Sequence, residues 1–384
     1  MSNLSDLLGG GGGSTGIGAI APDSFVAPLT LGYTLCASPS EIDAGHSFTH
    51  EGNYMDSVSS KREGVCYSSY HGAWFCQGSN MNNSDTTSNR CVYKSYDGIH
   101  WTAIFKLSQD INTSYIPSNL STANAYSFLV VDDSNGRLWI AGTEQSGSYR
   151  LRMFYYDFDG DWGNATEVFA TGDTGNSGSL VEYMQWLPNT EVILIFYRNS
   201  TTSGQLKKAY ILAGGTTITW DQTFSPGSGQ EYRYGFAIDD TNNKYYIQND
   251  STKAFYYSGS SPHTANWTQI TKTSGSATAF NENGQMAMGG GYIIFVDNDN
   301  LYYMDTTSTW SSSTGWSYNG SALPTNGHVY ACYYDETNSR FVGIGTYGIF
   351  VSSTPNTGAW TWKAASGLGT VSMSGDLKAT RAHS

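Results

Sequence analysis

Charge is scarce in this 384-residue chain: only 13% of residues are Asp, Glu, Lys or Arg. The basic sign is the scarcer one, 19 Lys and Arg against 32 Asp and Glu, for a formal net charge of −13. A nucleic-acid binder displaces counterions with clustered Lys and Arg, and no such cluster exists, so nucleic acid is excluded as a partner. An anionic membrane surface is excluded on the same ground. No apolar run approaches the roughly 20 residues of a membrane helix, so no membrane insertion is expected. The N-terminus carries neither a basic n-region nor a continuous apolar h-region, which predicts no export by its own signal. Proline is rare, at 9, and the strong helix formers are too few for long helices. The five cysteines, Cys36, Cys66, Cys76, Cys91 and Cys332, form no CxxC pair. Reduced core thiols are the reading, with a Cys66–Cys76 hairpin disulfide as the alternative. No cofactor is expected.

What the chain has is aromatics and turns: 28 Tyr, 11 Trp and 44 Gly. Strand formers alternate with turn formers throughout. One unit recurs. "VVDDSNGRLWIAG" begins at Val130, "AIDDTNNKYYIQN" at Ala237 and "YYDETNSRFVGIG" at Tyr333. Each reads as strand, acidic polar turn, strand, which is a hairpin signal. "QWLPNTEVILIFY" from Gln185, "AFNENGQMAMGG" from Ala279 and "CYSSYHGAWFCQG" from Cys66 are variants.

A second marker follows each hairpin, a strand and polar turn ending in Trp: Trp101, Trp162, Trp220, Trp267, Trp316 and Trp362. Successive markers stand 46 to 61 residues apart. Four strands per period of that length predict an all-β propeller, with six blades and a seventh possible. A lone four-stranded sheet cannot bury both faces. Radial packing buries them, and closing the ring leaves only short edges. The expected division is an N-terminal arm over 1–20, a lead-in over 21–60 (ring-closing strand or degenerate blade), the propeller over 61–366 and a polar tail over 367–384. Each Trp is expected to pack between its blade's last two strands.

The tightest marker, Ser95-Tyr96-Asp97-Gly98-Ile99-His100-Trp101, resembles the Asp-box of sialidase-type propellers. The resemblance implies a structural turn built by Ser95, Asp97, Gly98 and Trp101, with Asp capping backbone amides and Gly taking positive φ. It implies no catalysis, because the Asp-box lies far from the sialidase active site. Sialidases gather arginines on the substrate carboxylate, and none of the few arginines here lies in the Phe/Tyr-Arg-Ile-Pro motif such enzymes carry.

Other chemistry leaves weak marks. Paired carboxylates for glycoside hydrolysis can be imagined among any 32 acids, with Glu182 and Asp239 at strand starts. Asp157, Asp159 and Asp161 with Glu167 have the alternation of a calcium loop but lack its central glycine, so a blade turn competes and no metal is expected. His46, His50 and Glu51 have metal spacing only on a helix, and their neighbours read as loop. The doublets Tyr245-Tyr246, Tyr256-Tyr257 and Tyr302-Tyr303 could stack on sugars, yet adjacent strand residues face opposite sides and suit blade-to-blade packing.

The opening "MSNLSDLLGGGGGSTG" places Leu4, Leu7 and Leu8 on one face of a single helical turn ahead of five glycines. One turn is unstable alone and needs another surface. The stub, the glycine tether and the Ser-x-Asp-Gly-x-x-Trp turn together resemble virion proteins of tailed bacteriophages. The resemblance implies a structural virion component, tail-, fibre- or capsid-associated and without enzyme activity. Its arm would hold it to other virion proteins, and the propeller would serve in assembly or host-surface contact. Alternatives are a carbohydrate-binding adhesin on a host-surface glycan, and a glycan hydrolase.

Overall fold

The computed structural model describes residues 25–28, 34–37, 65–79, 90–96, 102–106, 128–144, 150–158, 162–164, 166–168, 180–198, 206–221, 235–248, 253–271, 285–297, 300–307, 316–318, 329–336, 338–345, 348–356, 361–364 and 380–381. All regular structure among them is β. Strands β1 (Phe25–Pro28) and β2 (Thr34–Ala37) come first. Blade 1 is β3 (Val65–Ser68), β4 (Ala73–Ser79), β5 (Arg90–Ser95) and β6 (Thr102–Lys106). Blade 2 is β7 (Phe128–Asp132), β8 (Arg137–Glu144), β9 (Arg150–Asp157) and β10 (Trp162–Asn164). Strand β11 (Thr166–Val168) precedes blade 3, which is β12 (Leu180–Leu187), β13 (Val192–Arg198), β14 (Leu206–Leu212) and β15 (Thr217–Asp221). Blade 4 is β16 (Gly235–Asp239), β17 (Lys244–Gln248), β18 (Lys253–Ser258) and β19 (Thr268–Thr271). Blade 5 is β20 (Gln285–Gly289), β21 (Tyr292–Asp297), β22 (Asn300–Asp305) and β23 (Ser317–Tyr318). Blade 6 is β24 (Val329–Asp335), β25 (Arg340–Gly345), β26 (Gly348–Ser352) and β27 (Thr361–Ala364), and β28 (Thr380–Arg381) comes last.

Each blade is an antiparallel meander paired in chain order. First strands of successive blades lie side by side, β3 by β7, β7 by β12, β16 by β20 and β20 by β24. The fold is therefore the β-propeller that the repeat predicts. A seventh sheet, ordered β2-β1-β28, completes it. Its strand β28 touches both β24 of blade 6 and β3 of blade 1, so the ring closes through the two ends of the chain. Phe25 pairs with Arg381, within the segment read from sequence as a polar tail. Blade 3 gains a fifth strand, because β11 runs parallel to β15 on its outer edge.

The core is a series of junctions. The second strand of every blade is covered on both faces, so it reads as a continuous apolar run instead of an alternation. In β13, Ile193, Ile195 and Tyr197 join the blade 2 junction with Trp139 and Met153. Val192, Leu194 and Phe196 join the blade 4 junction with Phe236 and Tyr245. One residue of register thus decides which blade a side chain meets. The tyrosine doublet of β17 splits the same way: Tyr245 faces blade 3 and Tyr246 faces blade 5, each at most 1% exposed. These rings are core, and burial pushes both phenols up.

Among the described residues, the marker tryptophans Trp162, Trp220, Trp267, Trp316 and Trp362 stand on or beside the fourth strand of their blades, as expected. Their packing differs from expectation. Trp267 lies against Phe196 of the preceding blade (centroids 5.3 Å) as well as Tyr245 and Tyr257 of its own. Its Nε1 donates to the Pro262 carbonyl at 2.9 Å. Trp220 and Trp316 likewise sit in the clusters shared with the preceding blade. A large ring reaches past its own sheet, so the outer strand seals a junction as well as a hairpin. The unit read as a hairpin from Ala279 is also displaced. Its first strand is β20, and the turn is Gly290–Gly291, with Gly289 paired to Tyr292.

Cys66, Cys76 and Cys332 are free thiols. Cys66 pairs across the sheet with Phe75, one position from Cys76, so the two cysteines are not directly opposite. Burial, with the Asp133 charge second, pushes the Cys66 thiol up, which keeps it unreactive.

Candidate functional site

In every blade the turn between the first two strands and the turn between the last two open on one face. The second strand begins just after a residue at positive φ: Gly72, Gly136, Glu191, Asn243, Gly291 and Ser339. In blades 2 to 5 the carbonyl of that residue accepts the N–H of the residue that enters the outer turn, Phe158, Ala213, Gly259 or Thr306. In these four blades the two turns are thereby tied together.

Blades 2, 4 and 6 equip this face with two acids each. The first acid caps its own turn, and in blade 2 it also accepts the Gly214 N–H of blade 3 at 3.2 Å. Asp132 accepts both bonds from the Asn135 side chain (3.1 and 3.0 Å). Asp239 accepts the Asn242 backbone and side-chain N–H groups, and Asp335 those of Asn338. These carboxylates are buried, at 1%, 6% and 1% exposure. Burial raises the Asp239 carboxyl above the usual range, with the Asn242 bonds opposing it. The second acid reaches a different blade. Asp133 accepts the Ser69 N–H at 2.8 Å and the hydroxyls of Ser68 and Ser69 at 2.6 and 2.7 Å, all from blade 1. Asp240 accepts the Asn189 N–H of blade 3 at 2.8 Å. Glu336 accepts the Thr241 hydroxyl of blade 4 at 3.0 Å, across blade 5.

A cation starts the second strand of the same blades. Arg137 donates to the Gly214 carbonyl at 2.8 Å, and Lys244 to the Thr306 carbonyl at 2.8 Å, each on the next blade's outer turn. Arg340 instead turns to its own Asp335 (3.2 Å). Blade 3 uses another route. Lys208, wholly buried, pairs with Asp221 at 2.8 Å and donates to the Pro262 and Ala265 carbonyls of blade 4. Burial lowers its ammonium, while Asp221 pulls it back up.

Aromatic side chains gather on this face at blades 1 and 2. The His71 ring stands 3.8 Å from Phe158 and 4.7 Å from Tyr70. Phe75 lies 5.4 Å from Phe158. Lys94 places its ammonium 5.7 Å from the Phe75 centroid and 4.5 Å from that of Tyr96. Among the described residues the exposed large apolar side chains are Tyr70, Tyr96 and Leu212, at 55%, 51% and 54%. Tyr70 and Tyr96 occupy turns of this face, and Leu212 ends β14 beside one.

Of the residues singled out from sequence, Ser95 ends β5 and is buried, paired with Trp74. Asp97, Gly98 and Trp101 lie outside the described residues, as do Leu4, Leu7, Leu8, His46, His50, Glu51, Asp159 and Asp161. Asp157 accepts from Arg137 Nε at 3.5 Å. Among the described residues no group of three or more His, Cys, Asp or Glu could hold a metal. The exposed pair Tyr70 and Tyr96 and the reach of the second acid were not read from sequence. The recurrence of two acids, where one suffices to cap a turn, was the available signal.

No known family profile and no curated protein matches the chain. Solved structures with similar chains include the α-L-arabinofuranosidase Arb93A from Fusarium graminearum, solved with an iminosugar inhibitor (14% identity, 78% of this chain and 90% of that one, TM-score 0.45). Another is YjhT (8%, 79% and 98%, 0.45). A third is titled "putative 6-phosphogluconolactonase", from Bacteroides uniformis (10%, 92% and 95%, 0.49). Two of these three carry enzyme names, and this corrects the expectation of a chain without enzyme activity: the propeller gives no ground for it.

Proposed function

We propose that the chain is a structural component of a tailed-phage virion, held by its N-terminal arm and presenting the propeller for assembly or host-surface contact. One observation carries the reading. The ring closes through β1, β2 and β28, so closure makes no call on the Leu4, Leu7 and Leu8 stub or on the glycine run that precede β1 in sequence. A stub of three leucines ahead of a glycine run suits docking to a second protein. Burying three Leu side chains contributes roughly 4–8 kcal/mol. Ordering the tether costs about 1–2 kcal/mol per fixed residue, so several copies or a second contact must share the attachment.

The test is incorporation into particles. A chain lacking residues 1–13, and the double variant Leu7→Asp with Leu8→Asp, are expected to fold with an unchanged β-type circular dichroism spectrum and to be missing from purified particles. Normal incorporation of both would overturn the arm's role.

A further inference from the structure

We infer that Tyr70 and Tyr96 form a stacking platform for a neutral glycan on the turn-lined face of blades 1 and 2. The inference deepens the host-surface reading and rests on it for its biological setting. The two rings belong to the inner and outer turns of one blade and are each about half exposed. They are linked beneath by Lys94, Phe75 and His71. Tyr70 is also held from the side. It lies over Gly136 of blade 2, where a Cβ would stand 3.2 Å from its Cε1, and Gly136 has a φ of +59°. The positive φ of Gly136 favours glycine, and its lack of a Cβ lets the Tyr70 ring approach blade 2 without being pushed back.

The size and charge of the patch choose the occupant. A half-exposed tyrosine offers about 100 Å². Two of them fall far short of the roughly 800 Å² per partner that a stable protein interface uses. They match one or two pyranose rings, whose C–H faces stack on aromatic rings while their hydroxyls need polar neighbours. Those neighbours are present: Ser69, next to Tyr70 in the chain, carries a hydroxyl bonded to the Asp133 carboxylate, and the tyrosines carry their own hydroxyls. The net charge of −13 and the Asp133 carboxylate at Ser69 disfavour acidic sugars, and Lys94, 5% exposed, is turned to the Phe75 and Tyr96 rings, so neutral sugars fit the patch.

The test uses the free full-length chain, titrated calorimetrically with neutral oligosaccharides of glucose, galactose, mannose and N-acetylglucosamine. At least one is expected to bind. Tyr70→Ala and Tyr96→Ala should each weaken it tenfold or more with unchanged melting temperature, Tyr70→Phe should stay within about threefold, and Leu212→Ala within twofold. Absence of binding by every sugar at millimolar concentration would overturn the site, as would binding indifferent to both tyrosines. Capture of a protease-sensitive host component by this face, with no sugar binding, would overturn it in favour of a protein partner. Particle incorporation is read separately, so failure here leaves the arm's test standing, and the reverse.

Discussion

Blades 2, 4 and 6 differ from blades 1, 3 and 5 in one short stretch. The even blades carry Asp, a second acid, Ser or Thr, Asn, one residue at positive φ, then Arg or Lys. The odd blades have "SSYHGA", "LPNTEV" and "GGGY" at the same place. The even turns are donors of order: one acid fixes its own loop, the other fixes a loop of an earlier blade, and in blades 2 and 4 the cation fixes a loop of the next, joined in blade 2 by Asp132 on the Gly214 N–H. The odd turns are receivers. Ser69 and Asn189 are the groups on which Asp133 and Asp240 act, and the outer turns of blades 3 and 5 take the Arg137 and Lys244 bonds. A ring can therefore be stapled by half of its blades, and the others are free to vary.

Adjacent acids of one turn should then differ sharply in worth. Asp335 is buried against Arg340 and caps Asn338, whereas Glu336 is exposed and holds one hydroxyl. Asp335→Ala leaves a buried guanidinium without its carboxylate and should cost about 3–5 kcal/mol. Glu336→Ala should cost under about 1 kcal/mol. Chemical denaturation of the two variants measures both. Equal losses would erase the division of labour between first and second acids.

Blade 5 is the extreme receiver, with no side chain in its inner turn. Tyr334 of blade 6 fills the space, lying so close over Gly289 and Gly290 that a Cβ on either would collide with its ring. Gly289→Ala should destabilise by about 1–3 kcal/mol through overpacking. Tyr334→Ala in the same chain should recover part of that loss, giving a coupling energy of at least about 0.5 kcal/mol. Strict additivity would mean that the blade 5 turn is not shaped by its neighbour.

The sequence announced the blades because each period repeats a chemistry that local physics demands: alternating apolar strands, a polar turn, a large ring on the outer strand. It was less clear about what joins them. Asp132 and Asp133 are neighbours in a turn, and nothing in their spacing says that one bonds three residues away and on to Gly214 of the next blade, and the other 64 or 65 residues back to the blade before. The blade 5 hairpin was misplaced because Asn281 to Gly284 has the look of a turn, while Gly290–Gly291 has only its glycines. The candidate site was less legible still. Tyr70 and Tyr96 share their composition with buried tyrosines such as Tyr245, and exposure is set by which side of a turn the ring leaves.

The smallest effect belongs to the one junction that an odd blade builds for itself. Lys208 crosses from blade 3 to the outer turn of blade 4, where His263 sits with its ring 4.8 Å from Tyr210. Burial first, and the nearby Lys208 charge second, lower the His263 imidazole below its usual 6.5, with Asp221 opposing. The folded chain thus resists a proton that the unfolded chain accepts. Above pH 6.5 both states hold a neutral imidazole and the contribution is complete. As pH falls from 6.5 toward the lowered folded value, the unfolded state binds more protons and stability drops. His263→Gln removes this share of the acid sensitivity while leaving that of the carboxylates. Melting temperatures from pH 7.5 to pH 5 should therefore fall less in the variant than in the parent chain. Parallel curves would show that the His263 imidazole at the Lys208 junction titrates no differently folded than unfolded.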